Sequence, residues 1–320
     1  MLSLRQIRGR LRSIQNSKQI MRAMQLVSGS KLKRSQSRLG QSREIAAFLD
    51  ELLQRVLAAG PATGGTSSPA RRVPARSAAT RSPEHPLCRA QEGRPSTLVV
   101  VTSDAGLCGS YNATLIQLAE AYLRRESART TQLIFIGKKG HRYFTKRGWQ
   151  AAEAHLDLAG RPNPAKHAEI GRALMQCMLS GSVGSVSVLY SRFVSPTVYK
   201  PTIEQWLPIQ LQRGKGQETG GTGSPPPPAP RPPDVLEYIF EPTPQRVFED
   251  LLPRWAVARF QLMLLEAFTS EHSARMVAMK NATDNAQELL DALTTQRNKI
   301  RQAAITKELS EIVGTAEALT

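Results

Sequence analysis

Eight consecutive residues, Ser103-Asp104-Ala105-Gly106-Leu107-Cys108-Gly109-Ser110, combine a carboxylate, a thiol, hydroxyls and glycines in one loop. They follow an apolar run, Leu98-Val99-Val100-Val101-Thr102, and precede a helical stretch, which is where anion-binding glycine loops belong. The spacing is neither G-x-G-x-x-G nor G-x-x-x-x-G-K-[ST], so no nucleotide fingerprint is present and a tight strand-to-helix turn is the simpler reading. Cys108 has no obvious histidine partner nearby and reads as a small buried hydrophobe rather than a nucleophile. His85, His141, His155, His167 and His272 are scattered without metal-ligand spacing, and Cys88, Cys108 and Cys177 form no C-x-x-C pair. There is no G-x-S-x-G elbow. The carboxylates of the C-terminal segment look like a solvated helix face. No nucleophile, base and electrophile come together, so the expectation is a non-enzyme with no catalytic residue, no cofactor and no metal.

With so little chemistry, what the chain positions matters more. Its 320 residues carry a formal charge of +17, and hydrophobic residues make up 40% against only 5% aromatics. No apolar stretch is long enough to span a membrane. The charge is uneven: residues 1–58 account for +9 of it, and the first acid is Glu44. Such a balance points to an anionic partner without choosing among nucleic acid, membrane surface and acidic protein.

Prolines and glycines divide the chain. Two low-complexity segments, about 60–95 and 213–233, lack apolar periodicity and read as solvated loops, with polyproline II in the Pro225–Pro228 run. On either side lie long helical patterns. In the first, positions alternately three and four apart are Leu4, Ile7, Leu11, Ile14, Lys18, Met21, Gln25, Ser28, Leu32, Ser35, Leu39, Ser42, Ala46, Leu49, Leu53 and Val56. The stripe persists for many turns, as a coiled coil requires. A second stripe runs from Leu251 and Trp255 through Leu262, Leu265, Met276, Met279, Leu290 and Leu293 to Ile300 and Ala304. Neither helix can hide its stripe alone, so the two ends of the chain are expected to pair antiparallel. Lys18, Gln25, Ser28, Ser35 and Ser42 interrupt the seam. That fits either a modestly stable two-helix shaft or one whose upper part also touches a third party.

Between the helices, strand signals at Leu98–Thr102, Leu133–Gly137 and Val186–Phe193 alternate with helical stretches at Ala113–Ser127 and Ala165–Leu179, and a short basic helix occupies KKGHRYFTKRG. Thr197–Ile209 and Val235–Phe240 read as strands or hairpin arms. The fold class is therefore α/β: a long antiparallel coiled coil of the N- and C-terminal helices carrying a small Rossmann-like α/β domain. The expected layout is a shaft helix over 1–58, a low-complexity insertion over 59–97 and an α/β foot over 98–212. A Pro/Gly-rich insertion over 213–233, a last foot strand over 234–249 and a second shaft helix over 250–320 complete it. The basic, acid-free N-terminus also has the look of a transit peptide, but the heptad runs through it without a cleavage site or break in composition, so a structural helix is preferred.

The segments IRGRLRSIQNSKQIMRAMQLVSGSKLKR, VVVTSDAGLCGSYN and SEHSARMVAMKNATDNAQELLDALTTQRNKIRQAAITKELSEIVGTAEAL resemble the gamma subunit of F-type ATP synthase, as do YSRFVSPTVYKPTIEQWLP and YIFEPTPQRVFEDLLPRW. The resemblance covers nearly all of the chain outside the two low-complexity segments. It implies a central rotor shaft whose helices thread a catalytic hexamer of alpha and beta subunits. The foot would rest on a ring of c subunits together with epsilon, and the shaft would transmit torque between ion flow and ATP chemistry without itself being catalytic. It implies hexamer contacts at Met24, Arg275, Gln302 and Thr306, and c-ring contacts around Phe240 and Glu241. No nucleic acid is implied. Because the resemblance starts at Met1, it implies a bacterial protein, peripheral on the cytoplasmic face of the inner membrane. The loop departs from the family's usual G-L-C-G-G-L-N at Ser110 and Tyr111, and both insertions lie outside the common pattern. With Cys88 alone in the first insertion and no cysteine in the second, no thiol switch is expected. Two other classes remain on residue evidence alone: a basic coiled coil that binds nucleic acid, and an enzyme using the glycine loop.

Overall fold

A computed structural model describes residues 4–59, 85–89, 91, 93–125, 131–158, 163–210 and 240–317. Helix α1 (Leu4–Ala59) has 56 residues and α5 (Pro244–Glu317) has 74. At a helical rise of about 1.5 Å per residue they are about 84 and 111 Å long. Proline is absent from α1. Helix α5 opens on Thr243, whose hydroxyl accepts from the Arg246 amide at 3.3 Å, with Pro244 at the first helical position, where its missing N–H costs nothing. It starts earlier than the boundary expected at 250 and continues through Pro253.

The two helices run antiparallel. Lys18 meets Gln287, Gly29 lies against Met276, Arg43 pairs with Glu266, and Asp50 accepts from the Trp255 indole, so partners on α5 recede as α1 advances. The expected stripe is the observed seam: Ile7, Ser28, Leu32, Ser35, Leu39, Ala46, Leu53 and Val56 are buried, while the off-stripe Ile20, Leu26, Val27, Ile45 and Phe48 are exposed.

The central block is a five-stranded sheet in the order β3-β2-β1-β4-β5. Strands β1 (Ser96–Val101), β2 (Thr131–Ile136), β3 (Ala151–His155) and β4 (Ser185–Phe193) are parallel, and β5 (Tyr199–Leu207) is antiparallel to β4. Between them lie α2 (Tyr111–Arg125), α3 (Lys138–Thr145) and α4 (Pro164–Leu179). Alternation along the strands sorts the core into two faces. Val99, Val101, Ile134, Ile136, Val186 and Val188 pack with α4 and the lower part of α5, while Leu98, Val100, Leu133, Phe135 and Leu189 pack with α2 and α3. The sheet therefore uses α5 as one of its own covering helices.

Three expectations need correction. Strand β3 carries no sequence signal; Ala-Ala-Glu-Ala-His is a half-exposed edge strand without β-branched residues. The first low-complexity segment is not solvated to its end: a 3-10 turn at Pro86–Cys88 buries Leu87, whose carbonyl accepts from the Ile209 amide at 2.8 Å, and β1 begins at Ser96 rather than 98. Of the strand expected over 235–240, residues 235–239 lie outside the described residues, and Phe240 belongs to neither strand nor helix.

Candidate functional site

The loop after β1 is closed on itself. The Asn112 side chain accepts from the Ser103 amide at 3.0 Å and donates to the Ser103 hydroxyl at 2.7 Å and the Cys108 sulfur at 3.1 Å. Asp104 Oδ1 accepts from the amides of Lys138, at 2.9 Å, and Asp157, at 3.3 Å. Several backbone donors that could have cradled a phosphate are thus used by the chain. Cys108 is 2% exposed, and burial raises its thiol above the usual range while the Ser103 contact draws it back in part. That is the opposite of an activated nucleophile. Gly109 sits at φ +58°, and a Cβ there would approach Ala278 at 3.7 Å, so the loop lies directly against α5.

Arg275 fastens that contact. Its guanidinium donates to Glu271 at 2.6 Å, to the Gly106 carbonyl at 3.2 Å and to the Ala105 carbonyl at 3.4 Å. Its side chain is only 10% exposed and that of Glu271 4%. Burial pushes the Glu271 carboxyl above its ordinary range, and the Arg275 charge beside it pulls the other way. Arg275 is therefore not the free surface cation that a contact with an enclosing partner called for; it joins α5 to the foot. Glu266 and Glu271, taken as a solvated face from sequence, are both buried. The pattern gave no warning: Glu266, Thr269, Ser270 and Ser273 follow helical spacing, as a wet face would, and only the packing of the foot around α5 buries them.

Met24, Gln302 and Thr306 are not brought together with Arg275. Met24 is half-buried beside the seam, whereas Gln302 and Thr306 are exposed, the Thr306 hydroxyl donating to the Gln302 carbonyl at 3.0 Å. By the register of the pair, Met24 lies opposite residues near 281, about 30 Å along the shaft from Gln302. That register also carries α5 beyond the start of α1. Residues 305–315 are all exposed, and Ile305, Leu309, Ile312 and Val313 put an apolar stripe on this free end. Phe240 packs against the core beneath α4 and α5, and Glu241 is exposed at the opposite end of the molecule.

The α1 side of the shaft is basic. Lys18, Arg22 and Arg297 line a groove between α1 and α5 with a volume of about 490 Å³. Among the described residues, no group of three or more His, Cys, Asp or Glu is placed to hold a metal ion, and no helix is long and apolar enough to cross a membrane.

A family model described as ATP synthase matches residues 3–319. The ATP synthase gamma chain of Moorella thermoacetica is 36% identical over 320 residues, covering 100% of both chains. That of Symbiobacterium thermophilum is 37% identical over 315 residues, covering 98% of this chain and 97% of its own. Among solved structures, a chain of the Euglena gracilis mitochondrial ATP synthase (OSCP/F1/c-ring, rotational state 3) superposes with a TM-score of 0.60 at 19% identity, covering 99% of this chain and 94% of that one. At that identity the likeness is one of fold.

Proposed function

The chain belongs to the ATP synthase family as a gamma chain, and from that premise we propose how its surfaces engage the rest of the machine. It is a central-stalk subunit of a membrane-associated complex, a rotary shaft that couples ion translocation to ATP synthesis or hydrolysis without being catalytic itself. Its alpha and beta partners enclose the free end of α5 and the upper seam, touching Met24, Gln302 and Thr306. The foot rests on a c-ring beside an epsilon subunit, with Phe240 and Glu241 at the ring-facing end. The complex lies at the cytoplasmic face of a bacterial inner membrane, to which this chain is peripheral.

The observation that carries this reading is the free end of α5. A helix that runs on past the start of α1, with Ile305, Leu309, Ile312 and Val313 exposed in register and uncovered by any described residue, needs an apolar surface from elsewhere. The basic face of α1, free of acids before Glu44, suits an acidic sleeve lower down. Nucleic acid would use that charge as well, but it would leave the apolar end uncovered.

The test is purification of the tagged chain from its native membranes under mild detergent. Alpha- and beta-type subunits and a ring protein are expected with it at fixed ratio, with ATPase activity in the complex and none in the isolated chain. Absence of the nucleotide-binding subunits overturns the reading.

A further inference from the structure

Six charged side chains form an alternating bracket where the sheet edge meets the helix pair. On α1, Arg43 donates from Nε and Nη2 to Glu266 of α5, at 3.2 and 2.6 Å, and from Nη2 to the Phe193 carbonyl at the end of β4, at 2.8 Å. Glu266 also faces Arg192 of β4, at 4.0 Å. Arg192 reaches Glu204 of β5 at 3.1 Å, and Glu204 accepts from the Tyr190 hydroxyl at 2.9 Å and from Arg259 of α5 at 3.1 Å. Arg259 returns to α1 through Asp50, at 3.9 Å. Arg43 and Asp50 stand about two turns apart on α1, as do Glu266 and Arg259 on α5, so the bracket holds both helices at two heights.

Apolar packing alone would join foot and shaft loosely in one respect. Its transfer free energy follows buried area and is non-directional, so it specifies the angle between sheet and helix pair less sharply than polar contacts do. Charge-assisted hydrogen bonds tolerate only narrow ranges of distance and angle. A bracket anchored on α1, α5 and the antiparallel β4–β5 pair adds a second directional hold to the Arg275 contacts between α5 and the loop after β1, and is the part of the junction that also takes in α1. Most of its members are partly exposed: the side chains of Arg43 and Arg192 are 44% and 48% exposed, and only Glu266, at 8%, is deeply buried. Its weight in overall stability is correspondingly small.

We propose that Arg192 and Glu204 are positioning residues for torque transfer, fixing the angle of the α/β domain on the helix pair so that foot and shaft turn as one body. This rests on the rotor reading above. The test uses the assembled complex in membrane vesicles carrying Arg192→Gln with Glu204→Gln, and compares ion pumping with ATP hydrolysis in the same preparation. Hydrolysis and the amount of complex stay the same, while ions pumped per ATP fall roughly two- to five-fold, the factor by which losing such half-exposed pairs shifts an equilibrium. The angular spread of a probe on the foot, measured with the hexamer immobilised, widens in parallel. Should the double variant fail to assemble, Arg192→Lys with Glu204→Asp keeps the charges, shortens their reach and is read by the same ratio. An unchanged ratio and angular spread in an assembled variant complex overturn the proposal and leave the rotor reading standing. A complex that assembles and couples without this chain overturns both.

Discussion

The lower and upper stretches of α5 belong to one unbroken helix yet live in opposite surroundings. Every residue from Leu262 to Arg275 is buried, and every residue from 305 to 315 is exposed. Below, α1, α4, β4 and the loop after β1 enclose the helix on all sides, and even its polar groups find partners within the chain. Ser270 donates to the Ser191 carbonyl at 3.0 Å, Thr269 to the Leu265 carbonyl at 2.7 Å, and Ser273 to the Pro196 carbonyl. Above, after α1 has ended, nothing among the described residues covers the apolar stripe. The lower stretch is held by its own fold. The upper stretch keeps its shape by helix propensity and by whatever surrounds it, and an isolated helix end of that length is marginal in water. One end of the rod is a joint, and the other, on the reading proposed above, is a bearing surface.

The sharpest way to break that contrast is at Arg275. Replacing it by Met leaves Glu271 buried without its countercharge and two loop carbonyls without a donor, a change expected to cost about 3–5 kcal/mol. Urea unfolding of the chain would show it as a lower midpoint at unchanged slope. Adding Glu271→Leu removes the stranded charge and is expected to restore much of the loss. If Arg275 acted only on a partner, the midpoint would not move in either variant.

A somewhat smaller effect is expected at the α4–α5 contact. His167 is 3% exposed, its ring lies 5.4 Å from that of Phe268, and its Nε2 finds no hydrogen-bond partner among the described residues. Burial lowers its pKa from 6.5 to about 4. The unfolded chain therefore binds a proton that the folded chain refuses between those two values. The contribution is fully present above pH 6.5 and is lost as pH falls toward 4, on the order of 3 kcal/mol in all. His167→Phe should flatten that part of the pH–stability curve. Glu271 titrates in both proteins and drops out of the difference, and equal slopes for the two would contradict the assignment.

The joint and the bearing end differed in how far the sequence revealed them. The seam was legible because burial between two helices depends on little more than three-four spacing, and Ile7, Leu32, Leu39 and Leu53 follow it. Strands β1, β2 and β4 were legible because both their faces are covered, which leaves continuous apolar runs. Strand β3 was not, since an edge strand of Ala-Ala-Glu-Ala-His is held by its neighbour's backbone rather than by its own side chains. The charge bracket was invisible for another reason: Arg43 and Glu266 lie 223 residues apart, and no local pattern announces a pairing across that distance. Gln302 and Thr306 stood out through family resemblance alone. In the structure they are exposed polar residues on a bare stretch of helix, and no local pattern sets them apart.

The smallest effect on folding, and the most discriminating, is expected at the bearing end. Ile305→Gln, Leu309→Gln and Ile312→Gln together keep good helix formers in place while removing the apolar stripe. These side chains are 48%, 58% and 64% exposed and touch none of the three buried clusters, so the unfolding midpoint of the chain should shift by less than about 0.5 kcal/mol per site. In the complex the same variant is expected to remove the proposed contact that centres the rod. ATP-driven ion pumping, or retention of the chain on the hexamer after washing, should fall while the isolated chain unfolds as before. A fall in both would mean that the upper helix folds back on something within the chain, and the division into joint and bearing would be lost. No change in either would mean that the stripe carries no contact, leaving the rod centred by polar groups such as Gln302 alone.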